Sequence, residues 1–439
     1  MNVRLKILNG PMAGTKYSID EQMVCLVGRG KDCTIRIPPE ADGKISRHHC
    51  LINATPLHVT IEDLHSSNGT YIGDRHLHGV SPSDFCVLQG GETILLGNTQ
   101  IQVDVRGREK LSVPKLSKCS KCGSDLDIVP FAFEPTDPPL CRKCAGSPET
   151  AILERIGKDC PITGCSIVRE IGRRAGGLTM LIERDNDGCL FALKLMVPGN
   201  TYDPNLKSRF ITECSTASQL KHRNIVKVFD AGTYKGILHL LMEFCNGGTL
   251  EHAVKAKGGA IGTAEAISHA MQLLDGLEYA HTLKLKNRTG ILHLDLRPEN
   301  ILIVREPDDT MTPKISCFGL ASAFSMASVA GMPAGISSTS FISRQQLIMN
   351  RDSGPEADVW SMAALLFYML TGKPPRDVKG ESNPVKTVLE RGCIPLHEVR
   401  PDLDKALCGI VDQALDDRKP LPFRTAAELR EKLIPFAGK

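Results

Sequence analysis

The sequence lacks the features that would tie it to a membrane, a nucleic acid or an oxidising compartment. Lys plus Arg number 53 against 50 Asp plus Glu, a formal net charge of +3 over 439 residues. That balance gives no electrostatic reason to expect nucleic acid or an anionic membrane as partner. The most apolar helical stretch, Met362–Leu370 behind the single tryptophan Trp360, falls short of the roughly 20 residues a spanning helix needs. Nothing resembles a cleaved leader, because Met1–Ile7 already alternates like a strand. A cytoplasmic, reducing location is therefore expected. The 16 cysteines are then thiols or metal ligands rather than a disulfide framework. Twelve of them have no ligand spacing and read as small buried hydrophobes. What is present, 41% hydrophobic and 23% charged residues, describes a soluble globular chain long enough for two or three domains.

Residues 1–108 alternate in short strands between turns. Val3–Leu8, Val24–Val27, Thr34–Ile37, His49–Asn53, His58–Asp63, Thr70–Ile72, Thr93–Leu96 and Thr99–Val105 fit the period, and Gly10-Pro11, Asp42-Gly43, Asn68-Gly69 and Gly90-Gly91 supply turns. This predicts an all-β sandwich. A phosphate dianion at a loop rim needs guanidinium and hydroxyl or amide donors. Arg29 and Arg47 offer charge, Ser46 and Ser67 hydroxyls, and Asn68 a two-ended amide. Gly28-Arg29, Ser46-Arg47-His48-His49 and Asp63-Leu64-His65-Ser66-Ser67-Asn68-Gly69 resemble, in order and spacing, a forkhead-associated (FHA) domain. The resemblance implies a phosphothreonine-binding module. Arg29, Ser46 and Arg47 would face the phosphate, Ser67 and Asn68 the peptide, and His49 would brace the loop behind.

Residues 109–150 hold Cys119-x-x-Cys122, 18 further residues, then Cys141-x-x-Cys144. Two such turns close a tetrahedral four-thiolate zinc site. Lys118, Lys121, Arg142 and Lys143 would offset its negative charge. The expectation is a small structural zinc ribbon between two larger domains.

From 160 to 437 the order of motifs resembles a protein kinase of the bacterial Ser/Thr type. This implies an α+β bilobal fold, with an N-lobe to about 244 and a C-lobe from about 245. Gly172 and Gly177 match the first and third glycines of the phosphate-covering loop, with Arg174 at the second. Lys194 matches the ATP lysine and Glu213, 19 residues on, the glutamate that pairs with it. Glu243 and Cys245 lie on the hinge that meets adenine. In His293-Leu294-Asp295-Leu296-Arg297-Pro298-Glu299-Asn300, the resemblance makes Asp295 the carboxylate that takes the hydroxyl proton, Arg297 the charge near the γ-phosphate and Asn300 a metal ligand. Cys317, 22 residues after Asp295, stands where the family has the aspartate that holds magnesium.

Other departures run in the same direction. Leu294 replaces the arginine that reads a phosphorylated activation loop, residues 320–343 carry no charge, and Gln345 replaces a glutamate expected to pair with Arg424. Magnesium is hard and prefers oxygen to a thiol. The residues therefore support a phosphothreonine-reading scaffold whose kinase-like domain binds ATP but transfers phosphate poorly. The alternative is an active Ser/Thr kinase with atypical magnesium or manganese handling; transfer of another group such as AMP is a third reading. Partners would be phosphothreonine proteins, and the chain itself through Thr339 in the activation segment.

Overall fold

The computed structural model describes residues 2–20, 24–54, 59–77, 85–88, 90–106, 148–174, 177–197, 206–286, 288–321, 339–349, 353–378, 381 and 384–438. Cys119, Cys122, Cys141 and Cys144, and residues 322–338, lie outside this set.

The sandwich contains β1 (Asn2–Ile7), β2 (Lys16–Asp20), β3 (Val24–Gly28), β4 (Ile35–Arg36), β5 (Cys50–Ala54), β6 (Val59–Asp63), β7 (Thr70–Ile72), β8 (Arg75–Leu77), β9 (Phe85–Leu88), β10 (Thr93–Leu96) and β11 (Thr99–Arg106). One sheet runs β2-β1-β11-β10-β7-β8 and the other β4-β3-β5-β6-β9. Alternation drives the layering. Val3, Leu5 and Ile7 are buried between the sheets while Arg4 and Lys6 face out. Three strands escaped the sequence pattern: β2, β8 and β9. All three are edge strands, paired on one side only, so their own side chains carry less of the burial signal.

The second unit begins with helix α1 (Pro148–Ile156), then a sheet of β12 (Cys165–Arg174), β13 (Gly177–Arg184), β14 (Leu190–Met196), β15 (Val228–Tyr234) and β16 (Ile237–Glu243) in the order β12-β13-β14-β16-β15. Period 2 divides β14 between two clusters. Leu193 and Leu195 pack with Ile152 and Ile156 of α1. Ala192 and Met196 pack with Phe210 and Cys214 of α2 (Leu206–Ala217).

The C-lobe is built on α3 (Leu250–Ala256), α4 (Thr263–Thr282) and the hairpin β17 (Ile301–Arg305)–β18 (Met311–Ile315). It continues through α5 (Arg344–Met349), α6 (Pro355–Thr371), α7 (Pro384–Glu390), α8 (Leu396–Val399), α9 (Lys405–Leu415) and α10 (Ala426–Leu433). Helix α6 is the axis of this lobe. It is apolar all round, with Trp360 and Phe367 almost fully buried, and it ends on Gly372 at φ 70, a left-handed cap that glycine adopts without penalty. Among the described residues no helix is long and apolar enough to cross a membrane.

Candidate functional site

The first site is the rim of the sandwich. Ser46 Oγ accepts the Ser67 amide at 2.9 Å and lies 3.4 Å from Ser67 Oγ, so the two loops share one hydroxyl patch. Asn68 Nδ2 donates to Lys44 O at 2.6 Å. Behind them His49 is fully buried. Its Nδ1 accepts the Ser46 amide at 3.1 Å and its Nε2 meets Gly69 O at 3.0 Å. That pattern requires the neutral ring protonated at Nε2, and burial lowers the His49 pKa accordingly. The brace expected of His49 is thus present. Arg29 and Arg47 are exposed on the same rim. The structure therefore brings Arg29, Ser46, Arg47, Ser67 and Asn68 onto neighbouring loops, with two exposed cations beside two hydroxyls.

Nearby, ligand atoms of Asp32, Cys33 and His48 lie within 4.8 Å of one another. This group reads as structural. Burial, then the Asp32 charge, pushes the Cys33 thiol up to about 12; it donates to Arg47 O at 3.2 Å. Asp32 already holds His48 and the guanidinium of Arg344.

The second site is the cleft between the lobes. Lys194 on β14 reaches Cys317 Sγ at 3.2 Å. The expected Lys194–Glu213 pair is not formed: Glu213 Oε2 instead meets Arg288 Nη2 at 3.0 Å. Arg288, on the loop after α4, offers a guanidinium to the carboxylate, and Lys194 is left to the sulfur. Cys317 has φ 68 and Leu294 φ 60, left-handed conformations unusual for such residues. Phe318 is buried and meets the His293 ring edge-on at 4.8 Å.

Asn300 Nδ2 donates to Asp295 O at 2.7 Å and to Asp295 Oδ2 at 2.9 Å, and Arg297 Nε lies 3.6 Å from the same oxygen. Asp295, Arg297 and Asn300 thus converge, as the motif predicts. Glu243 closes β16, where its carboxylate pairs with Lys314 at 2.9 Å. Cys245 is buried beside Met242, on the connection that leads to α3. Gly172 and Gly177 flank the β12–β13 turn. A Cβ on Gly177 would lie 2.6 Å from Leu195 O, so strand packing alone requires that glycine. Gly172 meets only ordinary contacts, which leaves its smallness free for another purpose. The side chain of Arg174 and residues 175–176 lie outside the described set.

The end of the activation segment departs from expectation. Gln345 does not leave it unanchored: its Nε2 donates to Asp417 O at 2.9 Å and Lys419 O at 2.6 Å. The buried ion pair is Arg376–Asp417, in which Arg376 Nη2 meets both carboxylate oxygens at 2.9 Å, and Arg424 takes no part. Thr339, expected as a self-recognition site in the activation segment, sits buried in the 3₁₀ turn Thr339–Phe341. Sequence reasoning missed Arg288 and Arg376, because neither lies in a motif.

The protein kinase domain family model matches residues 165–410 and the FHA domain model residues 25–97. The probable serine/threonine-protein kinase pknA2 of Bifidobacterium longum is 30% identical over 249 residues, 56% of this chain and 30% of that protein. The probable serine/threonine-protein kinase fhkA of Dictyostelium discoideum is 25% identical over 397 residues, 82% of this chain and 61% of that one. The chain thus spans less than two thirds of the length of either relative. The kinase domain of PknI from Mycobacterium tuberculosis has the same fold, with a TM-score of 0.51 at 22% identity, over 64% of this chain and 99% of that one.

Proposed function

The chain belongs to the protein kinase family and carries an FHA domain ahead of its kinase domain, and on that footing we propose that it is a phosphothreonine-reading signalling protein whose kinase-like domain binds ATP but is impaired in phosphoryl transfer. One observation carries this reading: the Lys194 ammonium rests on the Cys317 sulfur while Glu213 is held by Arg288. Kinases of this family use ATP with magnesium or manganese. The donors grouped here are the Asn300 amide, the Asp295 carboxylate and a thiol beside an ammonium. That set does not fit a hard cation that prefers carboxylate and water oxygens. The proposed ATP contacts are Gly172, Gly177, Lys194, Glu243 and Cys245. They need no metal to act as a backbone approach, a charge on phosphate and a hinge for adenine.

A second reading, an active Ser/Thr kinase with atypical metal handling, is favoured by the intact Asp295–Asn300–Arg297 arrangement and by the names of the relatives. Labelled ATP separates the two. On the proposed reading the wild-type chain binds ATP and labels no protein substrate with magnesium or manganese. Labelling that vanishes in Asp295→Ala would overturn it.

The reader half is tested by Arg29→Ala. Losing a charged hydrogen-bond donor to phosphate costs about 1.5–3 kcal/mol, so affinity for phosphothreonine peptides should fall by roughly 10- to 100-fold. Undiminished binding would misplace the site. The four cysteines 119, 122, 141 and 144 are proposed to hold one structural zinc. Elemental analysis of the purified chain should find about one zinc per chain, lost with unfolding of the segment under strong chelation.

A further inference from the structure

The sandwich packs directly on the C-lobe. Leu26, Cys33 and Leu64 share one apolar cluster with Ile342, Leu347, Val388 and Leu389. Two polar contacts flank it, and each ends on a loop of the phosphate rim. Arg344 Nη1, at the start of α5, lies 3.2 Å from Asp32 Oδ2, and Asp32 is three residues beyond Arg29. The same oxygen meets His48 Nε2 at 2.9 Å, and His48 follows Arg47. One carboxylate therefore ties together the loops that carry both rim arginines, and its cation comes from the other domain. The Arg344 side chain is only 15% exposed. A buried guanidinium needs a partner to offset its lost hydration, which makes the contact hold both sides.

On the loop that carries Ser67 and Asn68, Lys386 Nζ of α7 donates to His65 O at 3.0 Å. His65 opens the Ser66-Ser67-Asn68 turn at φ 54, a conformation that non-glycine residues avoid. The contact fixes the carbonyl of that strained residue. Helix α5 in turn reaches the catalytic loop, where Gln346 Nε2 donates to Leu294 O at 2.7 Å.

We propose that the phosphothreonine site is composite, with Arg344 and Lys386 of the kinase domain acting as positioning residues that hold the two rim loops of the sandwich in receiving shape. The proposal rests on the phosphothreonine reading above. The partner it fits is a phosphothreonine segment with an acidic flank, because Lys31 is exposed beside Arg29 and Arg47, one cation beyond the two assigned to the phosphate.

The test uses the full chain and a phosphothreonine peptide pool with glutamate at the flanking positions, read by fluorescence anisotropy beside the unphosphorylated pool. Arg344→Ala and Lys386→Ala should each weaken binding by roughly three- to tenfold, the effect of one lost positioning hydrogen bond. Arg344→Lys, which keeps the charge, should restore most of the affinity; a purely structural loss would not be rescued this way. Asp32→Asn changes the same contact from the sandwich side and should match Arg344→Ala, which keeps the comparison valid if the latter folds poorly. Wild-type affinity in Arg344→Ala, Lys386→Ala and Asp32→Asn, with binding still lost in Arg29→Ala, overturns the composite site and leaves the phosphothreonine reading standing. No binding by the wild type, or full binding by Arg29→Ala, overturns the reading itself.

Discussion

Cys317→Asp should raise Asp295-dependent transfer of labelled phosphate by on the order of 10²–10³ over the wild-type chain, the usual worth of one preorganised electrostatic contact at a transition state. The backbone is already set for the change. Cys317 has φ 68, and Asp tolerates that left-handed region better than most residues because its short polar side chain bonds locally. Phe318 is seated in the core and Gly319 lies against α2, where a Cβ would come 2.9 Å from Glu213 O, so the substitution asks for no rearrangement of its neighbours. A carboxylate at 317 would supply the oxygen donor that the Asn300–Asp295 pair lacks. It would also give Lys194 a full countercharge in place of a sulfur at 3.2 Å. Assays of Cys317→Asp, and of the same variant with Asp295→Ala, decide the point. Wild-type transfer equal to that of Cys317→Asp would show that the thiol costs nothing.

The motifs made the cleft legible, because catalytic residues must sit at fixed short spacings. Asp295, Arg297 and Asn300 lie within six residues and meet as read. The same holds for Ser46 and the His49 behind it, three residues apart. What was not legible came from single residues far away in sequence. Arg288 captures Glu213 across 75 residues, and Arg376 finds Asp417 across 41. An isolated arginine, exposed like Arg288 or buried like Arg376, carries no local sign of its partner. The edge strands β2, β8 and β9 were missed for a related reason: half of what fixes them belongs to the neighbouring strand. The domain interface was the least visible. Leu26 and Leu389 are 363 residues apart, and each alone reads as ordinary core.

Asp358→Ala should destabilise the kinase domain by about 3–5 kcal/mol, the cost of removing one member of a buried charged network, and abolish nucleotide-dependent function with it. Asp358 is fully buried in the first turn of α6. Its carboxylate accepts the His293 amide at 2.7 Å, the Leu294 amide at 2.7 Å and His281 Nε2 at 2.9 Å. Truncation would strand all three donors, and Leu294 would lose the bond that fixes it at φ 60, one residue before Asp295. A shift there moves the carboxylate that Asn300 and Arg297 hold. Burial alone would raise the Asp358 pKa, but the His281 hydrogen bond, the electrostatic attraction of His281 and His293 and the His293 amide hold it below the usual carboxylate value. A carboxylate held low in the folded state contributes its stability fully above its unfolded pKa of about 3.9 and loses it only as pH falls through the lower folded value. The stability gap between wild type and Asp358→Ala, measured by denaturant midpoint, should therefore stay constant from pH 7 to about pH 4. A gap that already closes on acidification well above pH 4 would show that the Asp358 carboxylate is not held below its unfolded value, and would overturn its role as anchor of the loop.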